Sequence, residues 1–293
     1  MSSSTESRIP VDQIPVRRQT SASIAVVGNP NSGKSTLFNR LTGLRQRTGN
    51  YPGVTVEKNT GTAMSGEQSV ELIDLPGMFS LSAHSLEERI AANVVLGRME
   101  HMERPGGILA VVDATHLYQG LYLVQQLLEL ELPVLVALTM TDAAQAAGIQ
   151  IDTEALSKRL CGTPVYSVVA PTGQGVPKLL EALCQLANDT APMPLALSQE
   201  LGDVIGGLQR YLPATVSRLE VERALIDADS ALASEVAASL GDDGIAKLAE
   251  ARTRAFGDEP PLAAEARLRY AWVREVMSEV QSSAPVVATL GSR

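Results

Sequence analysis

Five short aliphatic and β-branched runs, at 24–27, 70–73, 108–112, 134–138 and 165–169, punctuate the first two-thirds of the chain. Between them lie stretches with apolar residues at helical spacing, 35–42, 85–96, 117–130, 153–160 and 176–186. Apolar strands alternating with amphipathic helices predict an α/β fold, a mostly parallel sheet flanked by helices. Segment 55–62 reads as one extra strand, with an antiparallel direction open to it, reached through a Gly-rich loop.

Near Asp189 the pattern changes. Pro192 and Pro194 interrupt the chain, and everything after Ser198 is rich in Ala, Leu, Glu and Arg without a strand-like run. A small all-helical domain is predicted there. Its apolar stripes are Leu201, Val204, Ile205, Leu208 and Leu212, then Leu219, Arg223 and Ile226, then Leu268, Trp272, Val276 and Val280. The expected organisation is an arm over 1–21, an α/β domain over 22–190, a helical domain over 191–282 and a flexible tail over 283–293. The arm is rich in Ser, Thr and Arg, lacks the apolar segment of a secretory signal and is expected to be disordered.

Composition narrows the class. At roughly 150 residues per domain, 293 residues allow about two domains, and 45% hydrophobic residues suffice for their cores. A formal charge of -9 argues against the broad positive footprint of a nucleic-acid binder, so no nucleic-acid partner is expected. No apolar run approaches the roughly 18 residues of a membrane span, and the chain reads as soluble. Cys161 and Cys184 stand apart from any metal or redox motif, which predicts buried thiols in a reducing compartment.

The chemistry starts at Gly28-Asn29-Pro30-Asn31-Ser32-Gly33-Lys34-Ser35-Thr36, which follows the first strand and opens the first helix. That is the G-x-x-x-x-G-K-[ST] phosphate loop in the context that gives the pattern meaning. Its glycines let backbone N–H groups turn toward phosphates, Lys34 reaches the β- and γ-phosphate oxygens, and the helix start adds its positive dipole end. The Ser35 hydroxyl is the expected magnesium ligand.

The purine is argued from motifs elsewhere. Asp74-Leu75-Pro76-Gly77 follows the strand at 70–73, where a D-x-x-G turn puts Asp74 near magnesium through a water and the Gly77 N–H near the γ-phosphate. Thr55, in Gly53-Val54-Thr55-Val56-Glu57, lies where a mobile segment is ordered by the γ-phosphate and magnesium. Thr139-Met140-Thr141-Asp142 follows the strand at 134–138 and occupies the position of an N-x-x-D base-reading motif. Asp142 is then the guanine discriminator, while Thr139 stands in for an asparagine whose donors and acceptor one hydroxyl cannot replace. Val169-Ala170-Pro171 is similar to the S-A-x loop whose backbone N–H meets guanine O6, with Val169 in place of the serine. GTP and GDP are the expected ligands.

These segments resemble the FeoB family of bacterial ferrous-iron transporters, over roughly 22–280. The resemblance rests on the phosphate loop, on Arg47-Thr-Gly-Asn-Tyr-Pro-Gly-Val-Thr-Val-Glu57 and on Asp74-Leu-Pro-Gly-Met-Phe-Ser-Leu81. It implies a GTPase domain and a following helical domain on the cytoplasmic face of the bacterial inner membrane. Their partner is then the transmembrane iron-permeation domain of the same full-length protein, and the resemblance leans toward self-association. Met78 stands where many small GTPases carry a water-orienting glutamine, so hydrolysis is expected to be slow. Asn31 resembles the asparagine that helps hold potassium in potassium-activated relatives, with carbonyls of Gly49, Asn50 and Tyr51 completing the cage. Such a cation would offset charge developing between the phosphates. Two alternatives stay open: a nucleotide sensor with negligible hydrolysis, and an Era-like RNA- or ribosome-associated GTPase.

Overall fold

The computed structural model describes residues 23–283, apart from 44, 83–84, 187–188, 190 and 192–196. The expected arm, the residues beyond 283 and the proline-marked boundary at 192–194 lie outside them.

Strand β1 (Ile24–Gly28) is buried along its whole length because its neighbours cover both faces. Ala25 and Val27 join one hydrophobic core, and Ile24 and Val26 join the other, as alternation along a strand requires. The chain continues through α1 (Lys34–Thr42), β2 (Gln46–Asn50), β3 (Glu57–Ser65), β4 (Gln68–Asp74), α2 (Leu86–Val95) and β5 (Gly107–Asp113). It goes on through α3 (Leu117–Leu127), β6 (Val134–Thr139), α4 (Thr141–Ala146), β7 (Ile149–Ile151), α5 (Thr153–Arg159), β8 (Val165–Ser167) and α6 (Val176–Leu186). Seven strands form one sheet in the order β2-β3-β4-β1-β5-β6-β8. From β4 to β8 it is parallel, and β2 and β3 add an antiparallel edge. Connections leave β1 toward β4 on one side and return to β5 on the other, so the C-terminal end of β1 is the topological switch point, where open α/β sheets bind ligands.

The extra strand expected at 55–62 is β3, and it starts two residues later, leaving Thr55 in the turn before it. β2 has no counterpart in the sequence reading. All five of its residues are exposed, so this edge strand carries no hydrophobic alternation to read. The expected burial of both thiols also fails: Cys161 sits at φ 56° in the turn after α5 and is exposed, and Cys184 is half-buried.

Beyond Ser198 come α7 (Gln199–Gln209), α8 (Arg218–Ile226), α9 (Ala231–Ser239), α10 (Gly244–Phe256) and α11 (Pro261–Val280). Helices α7 to α10 enclose a core of their own around Leu201, Ile205, Val221, Leu225 and Leu248. α11 behaves differently. It packs on α3 and α5, and its Val273, Val276 and Val280 belong to the core of the sheet. It leads directly into β9 (Gln281–Ser283), which pairs antiparallel with β7, so the strand-free reading of this region is corrected at its end.

The stripe expected on α11 holds at Val276 and Val280, which are buried, and is displaced over its first half. Arg269, with an exposure of 0%, and Glu265 are buried, while Leu268 and Trp272 lie on the flank. Arg269 is buried because its guanidinium is matched on every side. It donates to both carboxylate oxygens of Glu129, at 2.7 and 2.9 Å, and to Glu265 at 2.9 Å. Arg223 of α8 donates to the same Glu265 oxygen at 2.6 Å. Glu129 lies in the short 3-10 turn Leu128–Leu130 that ends α3, so this cluster ties the sheet's own helix to α8 and α11.

Glu222 is the surplus carboxylate. Its Oε1 lies 3.6 and 3.7 Å from Arg223 and Arg269 without a hydrogen bond. Burial first, and the neighbouring Glu129 charge second, push its pKa up to about 7 from 4.5, against the pull of the two arginines. A raised carboxyl pKa contributes stability that is complete below the unfolded value and is lost as pH rises through the folded value, here between 4.5 and about 7. Glu222→Gln is therefore expected to match the wild type near pH 5 and to exceed its stability by on the order of 2–3 kcal/mol at pH 8.5, in urea unfolding at both pH values.

Candidate functional site

At the end of β1 the backbone of Gly28 presses against β5: a Cβ there would lie 2.5 Å from the Val111 carbonyl oxygen. Only glycine permits that approach. The loop then turns through two left-handed positions, Asn31 at φ 65° and Gly33 at φ 79°. Gly33 is the N-cap of α1 and supplies no side-chain cap. As a result the N–H groups of Asn31, Gly33, Lys34, Ser35 and Thr36 have no partner among the described residues, while the Ser32 N–H donates to Asn29 O at 3.2 Å. All five of those residues line a cleft of about 630 Å³, whose other walls come from Asn29, Pro30, Pro76, Gly77, Glu87 and Met140. Free amides at a helix start make a site for an anion.

Lys34 Nζ donates to Asp74 Oδ1 at the end of β4. Past Asp74 the chain is stitched to β1, with the Leu75 N–H donating to Val26 O at 3.2 Å and the Met78 N–H to Gly28 O at 3.1 Å. Between them Gly77 abuts Pro30: a Cβ would lie 3.0 Å from its nitrogen and 3.1 Å from its Cα. The Gly77 N–H has no partner among the described residues. The Met78 side chain points the other way, with an exposure of 0% inside the core. Glu87 in the cleft wall was not anticipated. Its sequence signal is that of the acidic first turn of α2, where Ser85 and Glu88 form a capping box.

Thr139 closes β6 beneath the loop, with an exposure of 2%. Its Oγ1 donates to Ser32 O at 2.6 Å and lies 3.1 Å from Val112 O, so its one proton braces the phosphate loop. Met140, at φ 53°, lines the cleft beside Gly33. Asp142 is exposed in the first turn of α4. Val169 and Ala170 are buried, and the Val169 N–H donates to Gln174 O at 3.0 Å. Within this turn the available donor is thus the Ala170 N–H, which has no partner among the described residues; Pro171 has none to offer.

Other expected members are not brought together. Gly53 and Thr55 are exposed in the turn between β2 and β3 and do not line the cleft. The turn is anchored by Tyr51, whose hydroxyl donates to Asp74 O at 3.3 Å. Burial, with the Asp74 charge adding to it, raises that phenol's pKa. The potassium cage is likewise unassembled. Gly49 and Asn50 of β2 pair with Lys58 and Glu57 of β3, Tyr51 O accepts from the Val54 N–H, and β2 lies three strands from β1, or about 14 Å. For magnesium, the Ser35 hydroxyl and the Asp74 carboxylate are oxygen donors of the right hardness, beside a cleft that can take phosphate oxygens. Among the described residues no group of three or more His, Cys, Asp or Glu could hold a metal ion unaided.

Residues 22–183 match the family described as ferrous iron transport protein B. The Fe(2+) transporter FeoB of Legionella pneumophila (strain Lens) is 44% identical over 191 residues, covering 64% of this chain and 25% of that protein. The FeoB of Salmonella choleraesuis is 42% identical over 198 residues, covering 65% and 25%. The chain spans about a quarter of the length of these curated relatives. Among solved structures, an S. thermophilus NFeoB mutant bound to GDP matches with a TM-score of 0.79 at 31% identity, over 89% of this chain and 100% of that one. The cytosolic domain of L. pneumophila FeoB matches with a TM-score of 0.72 at 35% identity, over 89% and 100%. The cytosolic domain of T. maritima FeoB in its GMPPNP form gives 0.73 at 29%, also over 89% and 100%. With its phosphate loop, Asp74–Gly77 turn and sheet inside the matched segment, the chain belongs to the FeoB family of ferrous iron transport proteins and carries the family's N-terminal P-loop GTPase fold.

Proposed function

We propose that this chain binds GTP, hydrolyses it to GDP and phosphate, and uses its nucleotide state to regulate or drive ferrous iron uptake through a membrane-embedded part of the same full-length protein. The observation that carries the reading is the set of unpartnered amides of Asn31, Gly33, Lys34, Ser35 and Thr36 beside the Lys34 side chain and the Gly77 N–H. Relatives solved with GDP and with GMPPNP support the choice of nucleotide.

In this reading the loop amides and Lys34, released from Asp74, donate to the β- and γ-phosphate oxygens. Ser35, and Asp74 through a water, would hold magnesium, which when bound would supply charge neutralisation at those phosphates. Water attacks the γ-phosphorus in line, the bond to the GDP oxygen breaks, and the Gly77 N–H donates to the transferred group. Thr55 serves by folding in from the turn before β3. Loss of the γ-phosphate then releases the Thr55 and Asp74 segments, which switches the domain. The base lies toward Asp142, which accepts from guanine N1 and N2, and the Ala170 N–H donates to O6. Thr139 keeps only the bracing half of an asparagine's work.

No helix among the described residues is long and apolar enough to cross a membrane, which suits a domain tethered at the cytoplasmic face. Self-association around the iron path belongs to the same proposal. A binding-only sensor is the second reading, favoured by one observation: with Met78 buried, no side chain directly after Gly77 holds the attacking water.

Lys34→Ala is expected to reduce GTP turnover to the buffer background in a phosphate-release assay; full turnover in the variant would refute the mechanism, and wild-type turnover at background would favour the sensor. In calorimetric titrations with GDP, GTP and ATP, binding should be selective for guanine and about tenfold tighter in Thr139→Asn, the worth of one recovered hydrogen bond. Absence of guanine preference in both proteins would remove the base-site assignment. Potassium stimulation requires Gly49 and Asn50 to leave β2 and, with Tyr51, to move to Asn31, and equal GTPase rates in sodium and potassium at matched ionic strength would exclude it.

A further inference from the structure

The loop that follows Gly77 is held at two kinds of point. Met78 is bonded through its N–H to the Gly28 carbonyl, a backbone contact that side-chain substitution leaves in place. Three residues later the Leu81 N–H donates to the side-chain oxygen of Gln126 at 2.8 Å, across 45 residues of sequence. Phe79 lies between these ties and is exposed, its N–H reaching Glu88 Oε1 at a longer 3.3 Å.

Gln126 is an unusual occupant of its position. It lies on α3 with an exposure of 1%, and its helix neighbours Leu123, Val124 and Leu127 are core residues. Its amide nitrogen is buried and has no partner among the described residues. A leucine would fill such a site without an orphaned donor, so the glutamine's one asset is the bond to Leu81. The 3-10 turn that ends this helix carries, three residues on, the Glu129 that grips Arg269.

We propose that Gln126 is a positioning residue for GTP hydrolysis, fixing the segment after Gly77 so that the Gly77 N–H meets the γ-phosphate. The proposal rests on the GTPase reading above. Because Gln126 does not line the phosphate cleft, its loss should leave ground-state nucleotide binding alone and act on the chemical step.

The test compares wild type, Gln126→Leu and Gln126→Glu in the whole chain. Gln126→Leu should lower kcat about tenfold, with KM for GTP, GDP affinity and Tm close to wild type. Gln126→Glu, which keeps an acceptor oxygen, should regain most of the loss. An unchanged kcat in Gln126→Leu overturns the proposal, as does a loss of kcat accompanied by equal losses of GDP affinity and Tm, which would mark a merely structural role. If wild type shows no turnover above the Lys34→Ala background, the GTPase reading fails on its own. The positioning claim is then decided by hydrogen exchange at 78–82, which must quicken in Gln126→Leu and recover in Gln126→Glu; unchanged exchange overturns it.

Discussion

The hydroxyl of Thr139 donates to the carbonyl of Ser32 across 107 residues of sequence, and the phosphate loop depends on that buried bond. A loop that presents free amides on its front must be fixed from behind, because its backbone makes few bonds of its own. The fixing comes from three directions. β1 delivers the chain at Gly28 hard against β5, Thr139 holds Ser32 from the end of β6, and Met78 returns a bond to Gly28 from the segment after β4. Each of these strands ends at the same edge of a parallel sheet, and the sheet's order puts β1 between β4 and β5. The loop's geometry is therefore a consequence of topology, and its chemistry a consequence of the donors that topology leaves unused.

A second constraint runs through α3. Just before this helix Asp113 accepts from the Thr115 N–H and pairs with His116; in its last turn Gln126 holds Leu81, and in the 3-10 turn that follows Glu129 holds Arg269. The helix is thus in contact with the loop that would sense the γ-phosphate and with the helical bundle. Burying three carboxylates and two guanidiniums together is costly unless their hydrogen bonds are well made, and here Arg269 makes them fully while Glu222 does not. Geometry of this kind favours one docking of α11 on the sheet over neighbouring ones.

Most of the α/β part could be read from residues alone, because its strands are buried on both faces and its helices are amphipathic. The helix at 176–186 was legible to the residue, and so were the phosphate loop and the Asp74–Gly77 turn, where fixed residue types serve one geometry. What could not be read has physical causes. β2 is polar and solvated on both faces, and β7 and β9 are three residues long and paired across more than a hundred residues. The first half of the buried face of α11 could not be read because Arg269 reads as solvent-facing until its partner Glu129, on a distant element, is known, whereas Val276 and Val280 were legible. Val169 resembles part of a base-reading turn, yet its N–H is spent on Gln174, a bond visible only once the turn is folded. Thr139 was legible as a departure; that it keeps the brace required the distance to Ser32.

The central claim is that a guanine nucleotide sits with its phosphates on the loop amides and its base between Asp142 and Ala170. Amide proton shifts in NMR spectra with GDP or ADP at equal concentration test it most directly. GDP should move the amides of Gly33 to Thr36 and the Ala170 amide downfield, the last through its bond to O6, whereas ADP should leave Ala170 where it is. An Ala170 amide indifferent to GDP, or moved equally by ADP, would contradict the account.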